Sequence, residues 1–230
     1  CAAEPYNTLL PLEREVQRWL DSPVGELSES IAPEGKLDAA LYGSRVADLF
    51  NLVQLDATGA DFSCTSLGNE PIGLASPVTM RSITAAYLFA NTLVVLEVTE
   101  EVIRAALERC AEYFALENGV PRVSDMFLRP KIEHYNYDFY AGISYIFDLR
   151  RPVGDRVVSL TLPDGSPLGA HKYRLVTSNY RATGTGGYDV LRNCRVLWRG
   201  GTEMPDLTAR YLRSHSPLYI SKHGEMHVLW

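Results

Sequence analysis

The histidines and cysteines of the chain offer little for metal or nucleophilic chemistry. His223 and His227 lie four residues apart, a spacing that brings two zinc ligands to one face of a helix. Gly224 lies between them and HGEMH departs from the HExxH pattern, so a surface turn is the simpler interpretation. No GxSxG elbow is present, and neither Cys64 nor Cys110 has a histidine beside it. These residues therefore predict neither a zinc site nor an activated serine or cysteine.

Two tyrosine-bearing segments are more informative. The stretch HYNYDFYAG at residues 134–142 carries four aromatic rings, and Tyr188 directly follows the glycine-rich stretch ATGTGG at residues 182–187. The glycine-rich stretch lacks the Lys-Ser/Thr pair of a phosphate-binding P-loop. Stacking on such rings holds a flat, uncharged group such as a nucleobase, at roughly 1–3 kcal/mol per base. Packing of the rings in the core is the alternative for any single tyrosine, and at this point both interpretations stay open.

The composition indicates a globular domain that does not bind nucleic-acid polymers. The 230 residues include 22 Lys and Arg against 28 Asp and Glu, which gives a net charge of −6. A nucleic-acid backbone binder needs a basic face. No apolar run approaches the roughly 20 residues that a membrane span requires. No signal peptide is recognisable, and the sequence is amphipathic from its first residues, so we expect a piece of a longer protein.

The elements that must position the tyrosines follow an irregular order. Apolar spacing predicts helices over residues 5–20, 36–55, 80–88, 99–115 and 205–214. Strands are predicted over residues 60–66, 91–98, 145–149, 156–162 and 173–178, with the last two joined across the turn at 163–165. A terminal hairpin is predicted over 219–230, with its turn at His223 and Gly224. Because helices come first and strands later, the sequence predicts an α+β fold with a mixed β-sheet flanked by helices.

The four cysteines show neither CxxC spacing nor the density of a disulfide scaffold. We expect Cys1, Cys64, Cys110 and Cys194 to be free thiols, buried where they lie in apolar stretches. The redox compartment of the protein stays open on this basis.

Three blocks of sequence, in order, resemble the carboxy-terminal domain of the 5′-nucleotidase family. They are NTLVVLEVTEEVIRAALERCAEYF (91–114), HYNYDFYAGISYIFDLRRPVGDRV (134–157) and YRLVTSNYRATGTGGYDV (173–190). The resemblance covers roughly residues 59–216, and the most similar branch is that of bacterial 2′,3′-cyclic-nucleotide 2′-phosphodiesterase/3′-nucleotidases. It implies the fold of that domain.

The resemblance also implies a division of labour between two domains. In this family an amino-terminal metallophosphoesterase domain carries two divalent metal ions, and the carboxy-terminal domain binds the nucleoside. Residues 1–35 would then be a connecting helix and linker, and residues 36–230 the nucleoside-binding domain. We expect no cofactor in this chain, an amino-terminal catalytic domain in the same full-length chain as its partner, and no turnover by this chain alone. The expected location is extracellular, periplasmic or associated with the cell wall.

By the same resemblance, individual residues acquire expected roles. The two aromatic clamps of the family fall on Tyr137 and Tyr188, and Asn69 matches an asparagine that contacts ribose. Gly186 and Gly187 would line the base slot through their backbone. The loop at residues 69–73 reads NEPIG, without the family's phosphate-contacting arginine, which favours 2′,3′-cyclic or 3′-nucleotides over 5′-nucleotides.

Two other interpretations compete with a nucleotide-hydrolysing enzyme. One is a stand-alone nucleoside-binding or protein-interaction module that has the fold without catalysis. The other is a cysteine-dependent enzyme that uses Cys64 or Cys194.

Overall fold

A computed structural model describes residues 3–221 and 226–230 of the chain. Its helices are α1 (Ala3–Asp21), α2 (Lys36–Tyr42), α3 (Arg45–Thr58), α4 (Met80–Ala86), α5 (Glu100–Ala111), α6 (Asn179–Ala182), α7 (Asp189–Arg192) and α8 (Met204–His215). Its strands are β1 (Pro23–Gly25), β2 (Phe62–Ser66), β3 (Val78–Thr79), β4 (Thr92–Val98), β5 (Phe114–Glu117), β6 (Val120–Val123), β7 (Asp138–Ala141), β8 (Ser144–Asp148), β9 (Val157–Thr161), β10 (Tyr173–Ser178), β11 (Arg195–Glu203) and β12 (Met226–Leu229). Short 3-10 turns at Asp125–Phe127 and His134–Asn136 lie between β6 and β7.

Five strands form the main sheet, in the order β11-β4-β10-β2-β7. β10 and β2 run parallel, with Leu175 opposite Phe62, and the other neighbouring pairs are antiparallel. A three-stranded sheet, β12-β8-β9, lies beside it, with β12 parallel to β8. The mixed sheet with flanking helices confirms the predicted α+β fold.

The main sheet is buried because its central strands are almost continuously apolar. All four side chains from Leu93 to Leu96 in β4 are at most 1% exposed. Helix α3 packs against β2, β7 and β10, and α5 buries Ile103 and Leu107 in the same core. Each fully buried side chain of this size stabilises the fold by about 1.5–3 kcal/mol. The result is a rigid frame for the loops at the ends of its strands.

The single helix predicted over residues 36–55 is wrong in one respect, because the segment forms two helices, α2 and α3. Gly43 adopts φ +82°, a backbone conformation that side chains with a Cβ rarely take. The hydroxyl of Ser44 then accepts a hydrogen bond from the Ala47 N–H at 3.5 Å and caps the start of α3. The apolar spacing continues across this break, which is why periodicity alone did not reveal it.

The predicted pairing between residues 156–162 and 173–178 is also wrong. Both strands form, but β9 pairs with β8 in the small sheet, while β10 lies between β4 and β2 in the main sheet. In the predicted terminal hairpin, the turn at His223 and Gly224 lies outside the described residues. The strand after it, β12, pairs with β8 rather than with the residues before the turn.

Six strands were not predicted from the sequence: the short strands β1 and β3, and β5, β6, β7 and β11. All four side chains of β7 are buried, so the alternation that marks a half-buried strand is absent there. In β11 the opposite holds, since most of its side chains are exposed along the edge of the sheet. Neither environment leaves a period of two in the sequence.

The first helix confirms the amphipathic helix predicted over residues 5–20. It is tied to α4 by an ion pair between Asp21 and Arg81, with 2.6 Å between Oδ1 and Nε. Three of its apolar side chains, Leu9, Leu12 and Trp19, stay more than half exposed. Among the residues that the structure describes, every helix is too short or too polar to cross a lipid bilayer.

The residues after α1 join the core of the domain. β1 pairs with β3, and Val24, Leu27 and Ile31 are each at most 5% exposed. The division into a connecting segment, residues 1–35, and a nucleoside-binding domain, residues 36–230, stays a prediction, with these contacts attaching residues 23–31 to the second part.

Candidate functional site

The candidate site lies on the side of the main sheet where four strands begin or end. We call this side, formed by strand ends and not by an outer strand, the sheet edge. The parallel strands β2 and β10 both end there, at Ser66 and Ser178. Their antiparallel neighbours begin at the same edge, because Leu93 of β4 lies opposite Ser178 and Asp138 of β7 lies opposite Ser66. In open sheets with parallel strands, ligands bind outside the carboxyl ends of those strands. The connections at this edge are therefore where a site is expected.

A small cavity opens at this edge, and we refer to it as the slot. Its volume is about 200 Å³, below the 300–1,000 Å³ that is typical of sites for drug-sized ligands. Five residues line it: Ser66, Phe89, Asn91, Tyr135 and Tyr180. Three of the five are aromatic, and the other two carry an uncharged group that can donate and accept hydrogen bonds. The slot therefore suits a flat, neutral group the size of a single ring system.

Tyr180 reaches the slot because a capped helical turn starts where β10 ends. The hydroxyl of Ser178 accepts a hydrogen bond from the Arg181 N–H at 3.1 Å, which caps α6. The side-chain oxygen of Asn179 accepts a hydrogen bond from the Thr92 N–H at 3.3 Å and ties the turn to β4. The Tyr180 side chain remains 39% exposed. Partial burial raises the pKa of its hydroxyl.

Tyr135 is held on its exposed side by charged neighbours. Its hydroxyl donates to Oε1 of Glu133 at 3.3 Å, and the Lys131 ammonium pairs with the same oxygen at 3.1 Å. The Lys131 nitrogen lies 6.0 Å from the centre of the Tyr135 ring. On the other side the ring makes an edge contact with Phe89, with 6.0 Å between ring centres. These contacts fix one aromatic wall of the slot.

A buried ion pair behind the slot connects its two tyrosines. Arg181 follows Tyr180 and binds Asp138 through two hydrogen bonds, Nε–Oδ2 at 2.7 Å and Nη2–Oδ1 at 2.8 Å. Its Nη2 also donates to the backbone carbonyl of Tyr135 at 3.2 Å. Burial raises the pKa of the Asp138 carboxyl, and the arginine opposes that shift. The ion pair thus fixes the distance between the segments that carry the two walls.

Tyr137 and Tyr188, the predicted clamps, are both fully buried. The Tyr137 hydroxyl donates to the Ala40 carbonyl at 3.1 Å, and the Tyr188 hydroxyl donates to the Asn136 carbonyl at 2.9 Å. Burial raises the pKa of both hydroxyls well above the ordinary value. Neither ring borders the slot, and the clamp role expected of them stays a prediction. The tyrosines that border the slot are Tyr135 and Tyr180.

Gly186 and Gly187 serve packing within the domain. Both have positive φ angles, +81° and +89°. A Cβ at Gly186 would collide with Asn136 and Arg181, and one at Gly187 would collide with Arg109. The Gly186 carbonyl accepts a hydrogen bond from Nε of Arg109 at 2.9 Å. The glycine-rich loop therefore approaches two arginines of its own domain and does not border the slot.

Asn69 lies beside the slot, in a second cavity that we call the side cavity. The side cavity measures about 530 Å³ and shares Phe89 and Tyr135 with the slot. Nδ2 of Asn69 donates to the Ile132 carbonyl at 3.0 Å, which fixes the loop after β2 against the segment before Tyr135. Of the five predicted site residues, Asn69 alone borders one of these two cavities.

The sequence contains a signal for the tyrosines that border the slot. Tyr180 follows a strand end and a serine of the type that caps helices, so it belongs to the sheet edge. Tyr137 instead precedes the buried strand β7, and Tyr135 lies further out in the connection. Position relative to strand ends was therefore the more informative criterion.

Within the described residues, no three His, Cys, Asp or Glu side chains come together as metal ligands would. The donor groups of this part of the chain therefore do not fit the two metal ions that the resemblance implies for the family. His223, one of the two histidines considered for zinc, lies outside it.

Three of the cysteines, Cys64, Cys110 and Cys194, are free thiols, as predicted. Cys1 lies outside the described residues. Burial raises the pKa of Cys110 to about 12 and that of Cys64 further. Both thiols are therefore protonated at neutral pH, and nucleophilic cysteines need the opposite shift.

Comparison with known proteins agrees with the fold. Residues 24–193 match the family model described as 5′-nucleotidase, C-terminal domain. A 2′,3′-cyclic-nucleotide 2′-phosphodiesterase/3′-nucleotidase of Haemophilus influenzae is 26% identical in an alignment 242 positions long, gaps included, that covers 90% of this chain and 36% of that protein.

Solved structures give the same result. A 5′-nucleotidase from Staphylococcus aureus superposes with a TM-score of 0.89 at 30% identity, over 96% of this chain and 43% of that one. A 5′-nucleotidase precursor from Thermus thermophilus has a TM-score of 0.76 at 24% identity, over 97% of this chain and 42% of that one. This chain thus spans less than half the length of these relatives. Its match to the family model over most of its length shows that the chain belongs to the 5′-nucleotidase C-terminal domain family.

Proposed function

We propose that this chain is the part of a nucleotide phosphoesterase that recognises the base of a nucleoside or nucleotide. The observation that carries the proposal is the slot, in which the partly exposed rings of Tyr135 and Tyr180 border one small cavity. Stacking on each ring is worth roughly 1–3 kcal/mol and accepts every base, because every base has a π-face.

The polar groups of the slot complement the edge of a base. Nδ2 of Asn91 makes only a long contact of 3.4 Å with the Tyr87 hydroxyl. The Asn91 amide and the Ser66 hydroxyl can each donate and accept hydrogen bonds. Neither group carries a charge, which matches the uncharged edge of a nucleobase at neutral pH. Orientation of the base in turn fixes where the phosphate ester is presented, which is how a binding domain contributes to a reaction elsewhere.

For the whole protein we propose hydrolysis of 2′,3′-cyclic nucleotides, 3′-nucleotides or 5′-nucleotides. The chemistry would take place in an amino-terminal metallophosphoesterase domain of the same protein, where two bound metal ions would supply activation of water and polarisation of the phosphate. This chain's own residues would bind and orient the base. A location outside the cytoplasm, in the periplasm, at the cell wall or in the medium, belongs to the same proposal.

Calorimetric titration of the purified chain with adenosine tests the proposal. We expect Tyr135→Ala and Tyr180→Ala each to weaken binding at least about fivefold, because each removes one stacking ring. Tyr219→Ala is the matched control, since Tyr219 is 65% exposed and does not border the slot. Equal affinity of all four proteins, or no adenosine binding by the wild type, would contradict the proposal.

A second measurement addresses catalysis by the chain alone. We expect no release of phosphate from 3′-AMP and no opening of 2′,3′-cyclic AMP, with or without added divalent metal. Metal-dependent turnover by the 230-residue chain would show that a catalytic centre lies within it.

A further inference from the structure

The slot and the side cavity are separated by a shared aromatic wall. Phe89 and Tyr135 border both cavities, and their rings form an edge contact with 6.0 Å between centres. The slot alone, at about 200 Å³, holds one ring system, whereas the side cavity offers about 530 Å³ more. A mononucleotide base in the slot therefore leaves the second face of this wall without a ligand.

The lining of the side cavity is apolar where it meets the wall. Ile72, Ala85 and Leu88 contribute to it, and the Leu88 side chain is 64% exposed. Exposed apolar side chains grouped around a cavity mark binding sites. Glu70 is the one charged residue among the described lining residues, so a phosphate would be repelled there. An uncharged ring fits this lining better than a phosphate does.

A cation stands beside the wall between the two cavities. The Lys131 ammonium lies 6.0 Å from the centre of the Tyr135 ring, and its side chain is 68% exposed. Its pairing with Glu133, on the exposed side of the ring, keeps it at that position. A phosphate that links two nucleosides across the wall would pass close to this cation.

We propose that the slot and the side cavity together bind a dinucleotide, with one base in each cavity and the linking phosphate outside the wall. Phe89 and Tyr135 then separate the two bases, as inserted aromatic side chains do between neighbouring bases of nucleic acids. This inference rests on the proposed function, because the first base occupies the slot. It adds a second subsite and a preference for substrates with two bases.

The test compares three ligands by calorimetry on the wild-type chain: adenosine, 3′-AMP and the dinucleoside monophosphate ApA. ApA contains the same adenosine 3′-phosphate unit as 3′-AMP and adds a second nucleoside. We expect ApA to bind at least about fivefold more tightly than 3′-AMP, the lower end of what one stacked base contributes.

Variants of the side cavity show where the additional affinity for ApA arises. The double variant Ile72→Asn/Leu88→Asn changes only residues that border the side cavity and not the slot. We expect it to bind ApA and 3′-AMP with nearly equal affinity, and to bind 3′-AMP as the wild type does. Val120→Asn is the matched control, because Val120 is also 64% exposed but borders neither cavity.

The outcomes separate the two proposals. Equal affinity for ApA and 3′-AMP in the wild type overturns the second subsite and leaves the slot in place. The same holds if the double variant keeps the wild-type preference for ApA. Absence of binding by adenosine, 3′-AMP and ApA overturns the proposed function and this inference together.

Discussion

Two pairs of tyrosines in this chain have nearly the same sequence context and different structural roles. Tyr135 and Tyr180 border the slot, whereas Tyr137 and Tyr188 are fully buried in the layer behind it. Tyr135 and Tyr137 are only two residues apart. Tyr135 lies within the 3-10 turn His134–Asn136, whereas Tyr137 directly precedes β7. The comparison shows that rings within a few residues of each other in the chain can differ completely in burial, so a motif does not decide which of them border a cavity.

The two layers also differ in whether they contain charged side chains. The slot is lined by uncharged side chains, while the buried layer contains the Asp138–Arg181 ion pair and Lys36. A buried charge is costly unless it is paired and hydrogen-bonded. The same ion pair that stabilises the buried layer also holds the Tyr135 backbone carbonyl. The rigidity of the slot therefore depends on the layer behind it.

The largest effect is expected from breaking the buried ion pair. Asp138→Ala leaves the guanidinium of Arg181 buried without its carboxylate, and we expect the free energy of unfolding to fall by about 3–5 kcal/mol. The measurement is urea denaturation at pH 7. Asp155→Ala, which removes an exposed ion pair with Arg151, is the control and should cost less than about 1 kcal/mol. Similar values for the two variants would mean that the buried layer does not support the fold as described.

An intermediate effect is expected from the buried lysine, and it depends on pH. Lys36 donates to the Leu67 carbonyl at 3.2 Å, and burial lowers its pKa to about 7. Because the unfolded state keeps a lysine pKa near 10.5, it binds more protons than the folded state between about pH 7 and pH 10.5. This residue therefore makes the protein more stable as the pH rises through that window, and the gain is lost as the pH falls to 7.

Lys36→Met removes that pH dependence. We expect the free energy of unfolding of the wild type, relative to that of the variant, to increase by a few kcal/mol from pH 7 to pH 10. One pKa unit corresponds to about 1.4 kcal/mol. Tyrosines and cysteines are the same in both proteins, so the difference isolates the contribution of Lys36 to the pH dependence. A difference that does not change with pH would contradict a lysine whose pKa is lowered by burial.

The smallest effect is expected from removing the hydroxyl of one or the other of the neighbouring tyrosines, Tyr135 and Tyr137. Tyr137→Phe leaves the buried Ala40 carbonyl without its donor and should lower the free energy of unfolding by about 1 kcal/mol. Tyr135→Phe removes a 3.3 Å contact to Glu133 at the exposed side and should change it by less than about 0.5 kcal/mol. Neither variant should weaken adenosine binding by much, because phenylalanine keeps the ring at position 135 and Tyr137 does not border the slot. A larger loss for Tyr135→Phe than for Tyr137→Phe would reverse the assignment of the two layers.

The sequence allowed much of the fold to be predicted where local pattern and tertiary environment agree. The amphipathic helix over residues 5–20 and the strands at 91–98 and 173–178 formed close to their predicted bounds. The β-branched, apolar run of β4 and the periodic apolar face of α5 left clear signals. Where the environment removes the period, as in the fully buried β7 and the exposed β11, prediction failed.

By itself, the sequence determined the fold class, the family and the segments at the site, through apolar periodicity and three ordered blocks. Only the tertiary structure decided which tyrosines border a cavity, because that depends on which strands end at the same edge. The parallel pairing of β2 with β10 brings Ser66 and Tyr180 together although they are far apart in the chain. Strand pairing is set by the packing of the whole core, and no local pattern records it.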